Sequence, residues 1–173
     1  MLGKLGFNNS YGLAVRRDTA EQYGLRTFSD LALVSSNMIF YGSPVFMNRH
    51  DGLPNLKKIY DMSFKEEVTR MDEDRYTALM NNEVQVAEVF TTDGMLLVHD
   101  VVVLEDDKNF FPPYHGVIVA RNVILDKHPE LIDIFNLLEG RLTDEIMINL
   151  VYKVDIDGES PREVARSFLR EIG

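Results

Sequence analysis

The sequence predicts an α/β fold. Short apolar runs typical of buried strands, such as YGLAVRR (11–17), NMIFYG (37–42) and VQVAEVF (84–90), alternate with segments in which apolar residues recur at helical spacing. Stretches rich in turn-forming residues, such as GSPVFMNRHDGLPN and TTDG, separate these elements. Strands that alternate with short helices favour an α/β domain.

Composition and charge argue against several classes of protein. The 173 residues suffice for one domain with a hydrophobic core, and 45% of them are hydrophobic, as in soluble globular proteins. A net charge of −10, with no run of more than two Lys or Arg, argues against nucleic-acid binding. The chain has no cysteine, and no apolar run approaches the roughly 20 residues of a membrane span. The N-terminus, MLGKLGFNNSYG, lacks signal-peptide features, so we expect either a cytoplasmic protein or a piece of a larger one.

Helices and strands alternate as far as residue 90. Asp18, with Glu21 three residues later, predicts a capping box for a short helix that ends at Gly24. Ser29 predicts the start of a second helix, SDLALVSS. The elements that follow are the strand 37–42, the helix LKKIYDM (56–62), the strand FKEEVTRMD (64–72), the helix DEDRYTALMNN (72–82) and the strand 84–90.

The remaining segment has a different pattern. LLVHDVVVLEDD (96–107) and GVIVARNVIL (116–125) predict strands. Three amphipathic helices with few strands of their own need a sheet to pack against. They are HPELIDIFNLLEG (128–140) with Gly140 as C-cap, TDEIMINLVYKV (143–154) with Thr143 as N-cap, and SPREVARSFLREIG (160–173) with a Ser160–Glu163 capping box and Pro161 at its first position.

Catalytic and metal-binding patterns are weak. His50, His99, His115 and His128 lack zinc-site spacing, and no GxSxG nucleophile elbow is present. The acidic run LEDDK (104–108) suits either a solvated turn or a hard cation. A small acidic metal-dependent hydrolase that uses Asp93, His99 and Asp100 therefore stays open as an alternative function.

Aromatic residues lie at strand ends and in one stiff loop. NFFPPYHG (109–116) cannot be helical, because its consecutive prolines forbid a helix and cannot donate to a sheet. Such rings are either core packing or a π-faced site for a cation. Arg49, in the loop FMNRHDG, is either a surface arginine or a group that binds a carboxylate. The rings concerned are Tyr11, Phe90, Phe110, Phe111 and Tyr114.

The order of five segments resembles one family. FNNSYGLAVRRDTAEQYGLRTFSDLA, NRHDGLPNLKKIYDMSF, VFTTDG, LEDDKNFFPPY and LEGRLTDEIMINLVYKVD together resemble the substrate-binding proteins of glycine betaine/carnitine/choline (quaternary amine) ABC importers. The resemblance covers essentially the whole chain. It implies a type II periplasmic-binding-protein fold, in which each of two α/β lobes has a central mixed sheet flanked by helices and the ligand binds between the lobes.

The resemblance also implies a division of the chain. Residues 1–8 match the segment that crosses between lobes, 9–118 the second ligand-binding lobe, and 119–173 a helical return segment that belongs to the first lobe. The opening half of the first lobe, of order one hundred residues in the family, has no counterpart here. We therefore expect the return segment to expose an apolar face, through which the fragment could self-associate.

Five site residues follow from the resemblance. Tyr11 and Tyr114 match tyrosines of an aromatic cage for a trimethylammonium group, and Phe90 lies where the family often has tyrosine. Arg49 matches the arginine that binds the ligand carboxylate, and Asn9 matches a position that lines the cage. Residues 43–46, SPVF, depart from the pattern, since the resemblance implies an acidic residue there.

The function implied is binding without catalysis. The protein would bind glycine betaine, choline, carnitine or a larger betaine such as ergothioneine at the extracytoplasmic face of the membrane and deliver it to an ABC permease, for osmoprotection. No cofactor, metal or nucleic acid is expected. Besides the hydrolase, a cytoplasmic regulatory domain that senses such amines stays open as an alternative.

Overall fold

Two compact units divide the chain in the computed structural model, which describes residues 3–69 and 74–172. The sheet unit comprises residues 11–90, apart from 70–73, and 98–112. The helical unit comprises residues 3–10, 91–97 and 113–172. The chain therefore passes from one unit to the other after residues 10, 90, 97 and 112.

Helices and strands alternate through the sheet unit, whereas helices dominate the helical unit. The strands are β1 (Lys4–Asn8), β2 (Tyr11–Arg16), β3 (Ile39–Tyr41), β4 (Glu66–Val68), β5 (Val86–Phe90), β6 (Val101–Val103) and β7 (His115–Val117). The helices are α1 (Arg17–Tyr23), α2 (Phe28–Val34), α3 (Leu53–Tyr60), α4 (Arg75–Met80), α5 (Asn122–Lys127), α6 (Glu130–Asn136), α7 (Asp144–Asp155) and α8 (Pro161–Glu171). Short 3-10 helices span Ser35–Asn37 and Gly94–Leu97.

The sheet unit contains a mixed five-stranded sheet with the strand order β4-β3-β5-β2-β6. Strand β2 is antiparallel to β5 and β6, whereas β3 is parallel to β4 and β5. This sheet, flanked by helices, confirms the predicted α/β class.

Strand β2 is buried on both faces, which explains its continuous apolar sequence. Leu13 and Val15 pack into the main hydrophobic cluster with Phe28 of α2 and Leu56 of α3. Ala14, whose side chain points to the opposite face, is also fully buried. The register and depth of β2 are thereby well specified.

The first two helices begin differently from the prediction. Helix α1 begins at Arg17, so Asp18 lies in its first turn and the N-cap residue is Arg16, which makes no side-chain cap bond. The Asp18 carboxylate accepts from Arg16 Nε (3.0 Å) and Thr19 Oγ1 (3.2 Å). Helix α2 begins at Phe28 rather than at Ser29. Its capping box is formed by Thr27 and Asp30, whose backbone N–H groups each donate to the other's side chain.

Later boundaries also differ. The predicted strand 96–107 is reduced to β6, after a 3-10 helix, and the segment 116–125 ends in helix α5 because its apolar run also fits helical spacing. Helix α6 ends at Asn136, before Gly140. Ser160 is the N-cap residue of α8, as predicted, but the capping box does not form: the Ser160 side chain makes no cap bond, and the Glu163 side chain accepts from Arg166 at 2.6 Å.

Other boundaries agree. The Gly24 C-cap, at φ 67°, and the Thr143 N-cap are confirmed. The parts of the predicted elements 64–72 and 72–82 that fall on residues 70–73 lie outside the described residues.

The helical unit has an apolar groove. Strands β1 and β7 form an antiparallel ribbon, and helices α5 to α8 belong to the same unit. A groove of about 580 Å³ is lined almost entirely by apolar side chains of β1, α7, α8 and the segment before α7. The predicted exposed apolar face is therefore present, and self-association through it stays a prediction. Within residues 3–69 and 74–172, no helix is both long and apolar enough to cross a bilayer.

Candidate functional site

Tyr11 and Phe90 lie opposite each other in the sheet unit. Tyr11 opens β2 and Phe90 closes β5, and the antiparallel register pairs them directly. Their ring centroids are 5.0 Å apart with the planes tilted by 33°. Two residues that are far apart in sequence thus form one aromatic surface, at the side of the sheet where β2 begins and β5 ends.

Two further rings extend this surface. Phe46, fully buried, lies 5.0 Å from Tyr11 between centroids, and Phe111 lies 5.9 Å from it. Phe110 and Phe111 both pack against the main hydrophobic cluster, as expected for the residues that anchor their loop. Tyr11 is therefore held by rings of the core while it stays partly accessible.

Arg49 lies beside the same surface. Its guanidinium carbon is 5.8 Å from the Tyr11 ring centroid, and its Nε and Nη2 donate to the two carboxylate oxygens of Asp51 at 2.7 and 2.6 Å. Burial raises the pKa of Tyr11, and the negative charges of Glu88 and Asp51 add to this while Arg49 and Arg75 oppose it. Tyr11 therefore stays a neutral phenol at physiological pH.

A buried carboxylate lies next to these residues. Glu88, on β5, is only 1% exposed, and its carboxylate accepts from the backbone N of Ser43 at 2.6 Å and from Ser43 Oγ at 3.2 Å. Arg75 Nη1 is 3.6 Å from the Glu88 carboxylate and donates to the Glu88 backbone oxygen at 2.9 Å. Glu88, on the strand next to β3, thus places a carboxylate beside Ser43, although the loop sequence SPVF (43–46) itself has no acid.

Asn9 and Tyr114 belong to the helical unit. Asn9 Oδ1 accepts from Thr92 Oγ1 at 2.9 Å, and its backbone N donates to the Tyr114 oxygen at 3.2 Å. The Tyr114 backbone N donates to Asn8 Oδ1 at 2.5 Å. These bonds fix the start of the β1–β7 ribbon and the backbone that places the Tyr114 ring.

The loop that contains the two phenylalanines is held by one carboxylate. Asp106 accepts from the hydroxyl of Tyr60, from Phe110 N at 2.9 Å and from Phe111 N at 2.8 Å. Burial and this carboxylate both raise the pKa of Tyr60. The Tyr60 hydroxyl in turn accepts from Lys108 N at 2.7 Å. Asp106 is thus a structural residue of the loop.

Two residues of the hydrolase alternative, His99 and Asp100, make other contacts. His99 stacks on Tyr76 at 5.5 Å, and Asp100 accepts from Arg17 at 2.5 Å. Among the described residues, no group of three or more His, Cys, Asp or Glu is arranged to hold a metal ion.

Sequence reasoning missed Phe46, Arg75 and Glu88. A signal existed for Glu88, because it is the one acid within the apolar run VQVAEVF and shares a strand face with Phe90. Phe46 and Arg75 have no comparable local signal, since only the fold brings them to this place.

The comparisons with known proteins identify a family and its fold. A family model described as the substrate binding domain of the ABC-type glycine betaine transport system matches residues 1–171. The chain is 40% identical over 173 residues to the ergothioneine transport permease/ergothioneine binding protein EgtU of Helicobacter pylori strain G27, covering 99% of this chain and 31% of that protein. It is 39% identical over 167 residues to the carnitine transport binding protein OpuCC of Listeria monocytogenes, covering 96% of this chain and 54% of that protein.

A solved structure is similar over nearly the whole chain. The crystal structure of a glycine betaine/carnitine/choline ABC transporter protein superposes with a TM-score of 0.89 at 38% identity, covering 98% of this chain and 62% of the other. The chain thus spans between 31% and 62% of the length of these proteins. The structural similarity supports the type II periplasmic-binding-protein fold predicted from the sequence.

Proposed function

Because the chain belongs to the family of substrate-binding domains of ABC-type glycine betaine transport systems, we propose that it binds a quaternary-ammonium solute for delivery to an ABC importer permease. One observation supports this most directly: Tyr11, Phe90 and Arg49 lie together at one edge of the sheet unit. The protein would act at the extracytoplasmic face of the membrane, in uptake of osmoprotectants, and would catalyse no reaction.

The chemistry of these side chains suits a betaine. A quaternary ammonium has no N–H to donate, so ring faces and shape must select it, and each ring contributes about 0.5–2 kcal/mol. A guanidinium binds a carboxylate through charge-assisted hydrogen bonds. Carnitine and ergothioneine, named for two relatives, each combine a trimethylammonium group with a carboxylate, so we infer a betaine as the ligand.

Two parts of the proposal depend on the resemblance. We propose that Tyr114 contributes a further ring of the cage and that Asn9 lines it. We also propose that residues 9–118 form the second ligand-binding lobe, with 1–8 as the crossing segment and 119–173 as the return segment of the first lobe.

Calorimetric titration tests the proposal. Glycine betaine, carnitine, ergothioneine and choline are titrated, with unmethylated glycine as control, into the 173-residue chain and into the product of the full open reading frame that encodes it. We expect binding of at least one methylated amine, none of glycine, and a loss of about tenfold or more in Tyr11→Leu, which removes a ring. If the full-length product binds none of the four amines, the proposed function is wrong.

Arg49 has a separate test. Arg49→Ala should weaken carboxylate-bearing ligands by about 10- to 100-fold, the value of a charge-assisted hydrogen bond, and leave choline within about threefold. Arg17→Ala is the matched control, because it removes the same charge from an exposed pair with Asp100. Equal losses for choline and glycine betaine would show that Arg49 does not bind the carboxylate.

A further inference from the structure

Glu88 connects the sheet to the loop that contains Phe46 and Arg49. Its carboxylate accepts from the backbone and the hydroxyl of Ser43, the residue from which this loop departs. The same hydroxyl accepts from Phe46 N at 3.2 Å. One buried charge thus fixes the course of the segment that leads to the ring behind Tyr11 and to the guanidinium beside it.

Arg75 connects the same carboxylate to Phe90. Its guanidinium carbon lies 5.8 Å from the Phe90 ring centroid, and its side chain is 23% exposed. A cation at this distance from a ring is attracted by the ring quadrupole. It also repels any second cation near the ring, unless a negative charge compensates it. Glu88, within 3.6 Å, supplies that charge.

We propose that Glu88 and Arg75 form a charge-compensated positioning pair, which sets how the site discriminates between cationic and zwitterionic quaternary amines. The proposal rests on the proposed function. Both charges act on Tyr11 from within the sheet unit, because Glu88 raises and Arg75 lowers the pKa of its phenol. Glu88 thus disfavours and Arg75 favours the negative phenolate. For an ammonium group held against Tyr11 the signs are reversed: Glu88 attracts it and Arg75 repels it.

The sign of the effect follows from electrostatics. Loss of the Glu88 charge leaves Arg75 uncompensated, which disfavours choline, a net cation, more than glycine betaine, whose carboxylate offsets its ammonium. Loss of the Arg75 charge has the opposite effect. One unit charge near a partly buried ligand corresponds to a change of about five- to thirtyfold in the ratio of the two dissociation constants.

The experiment is a double-mutant cycle in which this ratio is the readout. Glu88→Gln keeps the shape and a hydrogen-bond acceptor for Ser43, and Arg75→Gln removes the cation. We expect Glu88→Gln to shift the ratio against choline, Arg75→Gln to shift it towards choline, and the double variant to return close to the wild-type ratio. If Glu88→Gln does not fold, Arg75→Gln alone still tests the predicted direction.

A purely structural role would give a different result. Misplaced rings weaken both amines together, so an unchanged ratio in folded variants would overturn the inference and leave the proposed function intact. Shifts of the same sign in both single variants would also overturn it. A wild-type protein that binds none of glycine betaine, carnitine, ergothioneine and choline would refute the proposed function, and the inference with it. A wild-type protein that binds carnitine or ergothioneine but neither choline nor glycine betaine would overturn the inference alone.

Discussion

Replacing Asp106 with Asn should loosen the loop 105–112 without disturbing the sheet. The two carboxylate oxygens of Asp106 accept from Tyr60, Phe110 and Phe111. Asn has the same shape but only one accepting oxygen, so its amide nitrogen must face one of these donors. The substitution therefore removes at least one hydrogen bond to a charged acceptor and weakens the others.

The expected cost is about 2 kcal/mol. A hydrogen bond to a charged group contributes about 1.5–3 kcal/mol, and partial exposure of Asp106 favours the lower part of this range. Since about 1.4 kcal/mol corresponds to a factor of ten, hydrogen exchange at the Phe110 and Phe111 amides should accelerate roughly thirtyfold. Exchange in β2 and β5 should stay within about threefold of wild type, because the hydrogen bonds that the Asp106 carboxylate accepts come from Tyr60, Phe110 and Phe111 and not from either strand.

Asp107→Asn is the matched control. It removes the same charge from the next residue, whose carboxylate accepts from Ser29 and not from the loop amides. Unchanged exchange at Phe110 and Phe111 in Asp106→Asn, or equal acceleration in Asp107→Asn, would refute the assignment of Asp106 as the residue that holds the loop.

Three further predictions concern stability, measured by urea unfolding. Thr27→Ala should cost about 1 kcal/mol because the α2 capping box is lost, whereas Ser160→Ala, which removes no cap bond, should cost less than about 0.5 kcal/mol; equal effects would contradict the cap assignment. Gly52→Ala should cost about 2 kcal/mol, since the new alanine Cβ would lie 2.1 Å from the backbone oxygen of Phe46. Stability equal to wild type would show that the loop moves to accept the Cβ at no cost. Hydrogen bonds from Ser29 lower the pKa of Asp107, so the stability that they contribute is present above about pH 4 and is lost as pH falls below it. Ser29→Ala should therefore flatten the dependence of unfolding free energy on pH in this range. An unchanged dependence would contradict the pairing of Ser29 with Asp107.

Strands β2 and β5 were predictable from the sequence because their apolar runs match their burial on both faces. The run GLAV of β2 is apolar throughout, and VAEVF of β5 is apolar apart from Glu88, because both faces of these strands are covered. The opposition of Tyr11 and Phe90 was not predictable from the residues, because pairing between distant strands depends on the whole fold. Only the resemblance to a family brought Tyr11, Phe90 and Arg49 into one hypothesis, and the structure places these three together within the sheet unit.

The features that the sequence analysis predicted wrongly or missed have local causes. Both Thr27–Asp30 and Asp18–Glu21 fit the capping pattern, but only the former forms a box, because α1 begins at Arg17 and Asp18 therefore lies in its first turn rather than at its N-cap. The segment 116–125 is apolar at both periods, so strand and helix could not be separated in it. Glu88 was not identified from the sequence because it is a single acid in an apolar strand and its partners, Ser43 and Arg75, lie in other segments of the chain.

The position of β2 in the sheet has a consequence for synthesis on the ribosome. Its two partners are β5 and β6, which end at residues 90 and 103, so β2 emerges long before either neighbour exists. Until then the nascent chain exposes an apolar strand with both edges open, a state prone to aggregation. Parallel strands β3 and β4 cannot relieve this, because neither pairs with β2. We therefore expect translation arrest before residue 103 to leave a polypeptide that depends on chaperones, and completion of β6 to be the point at which that dependence ends.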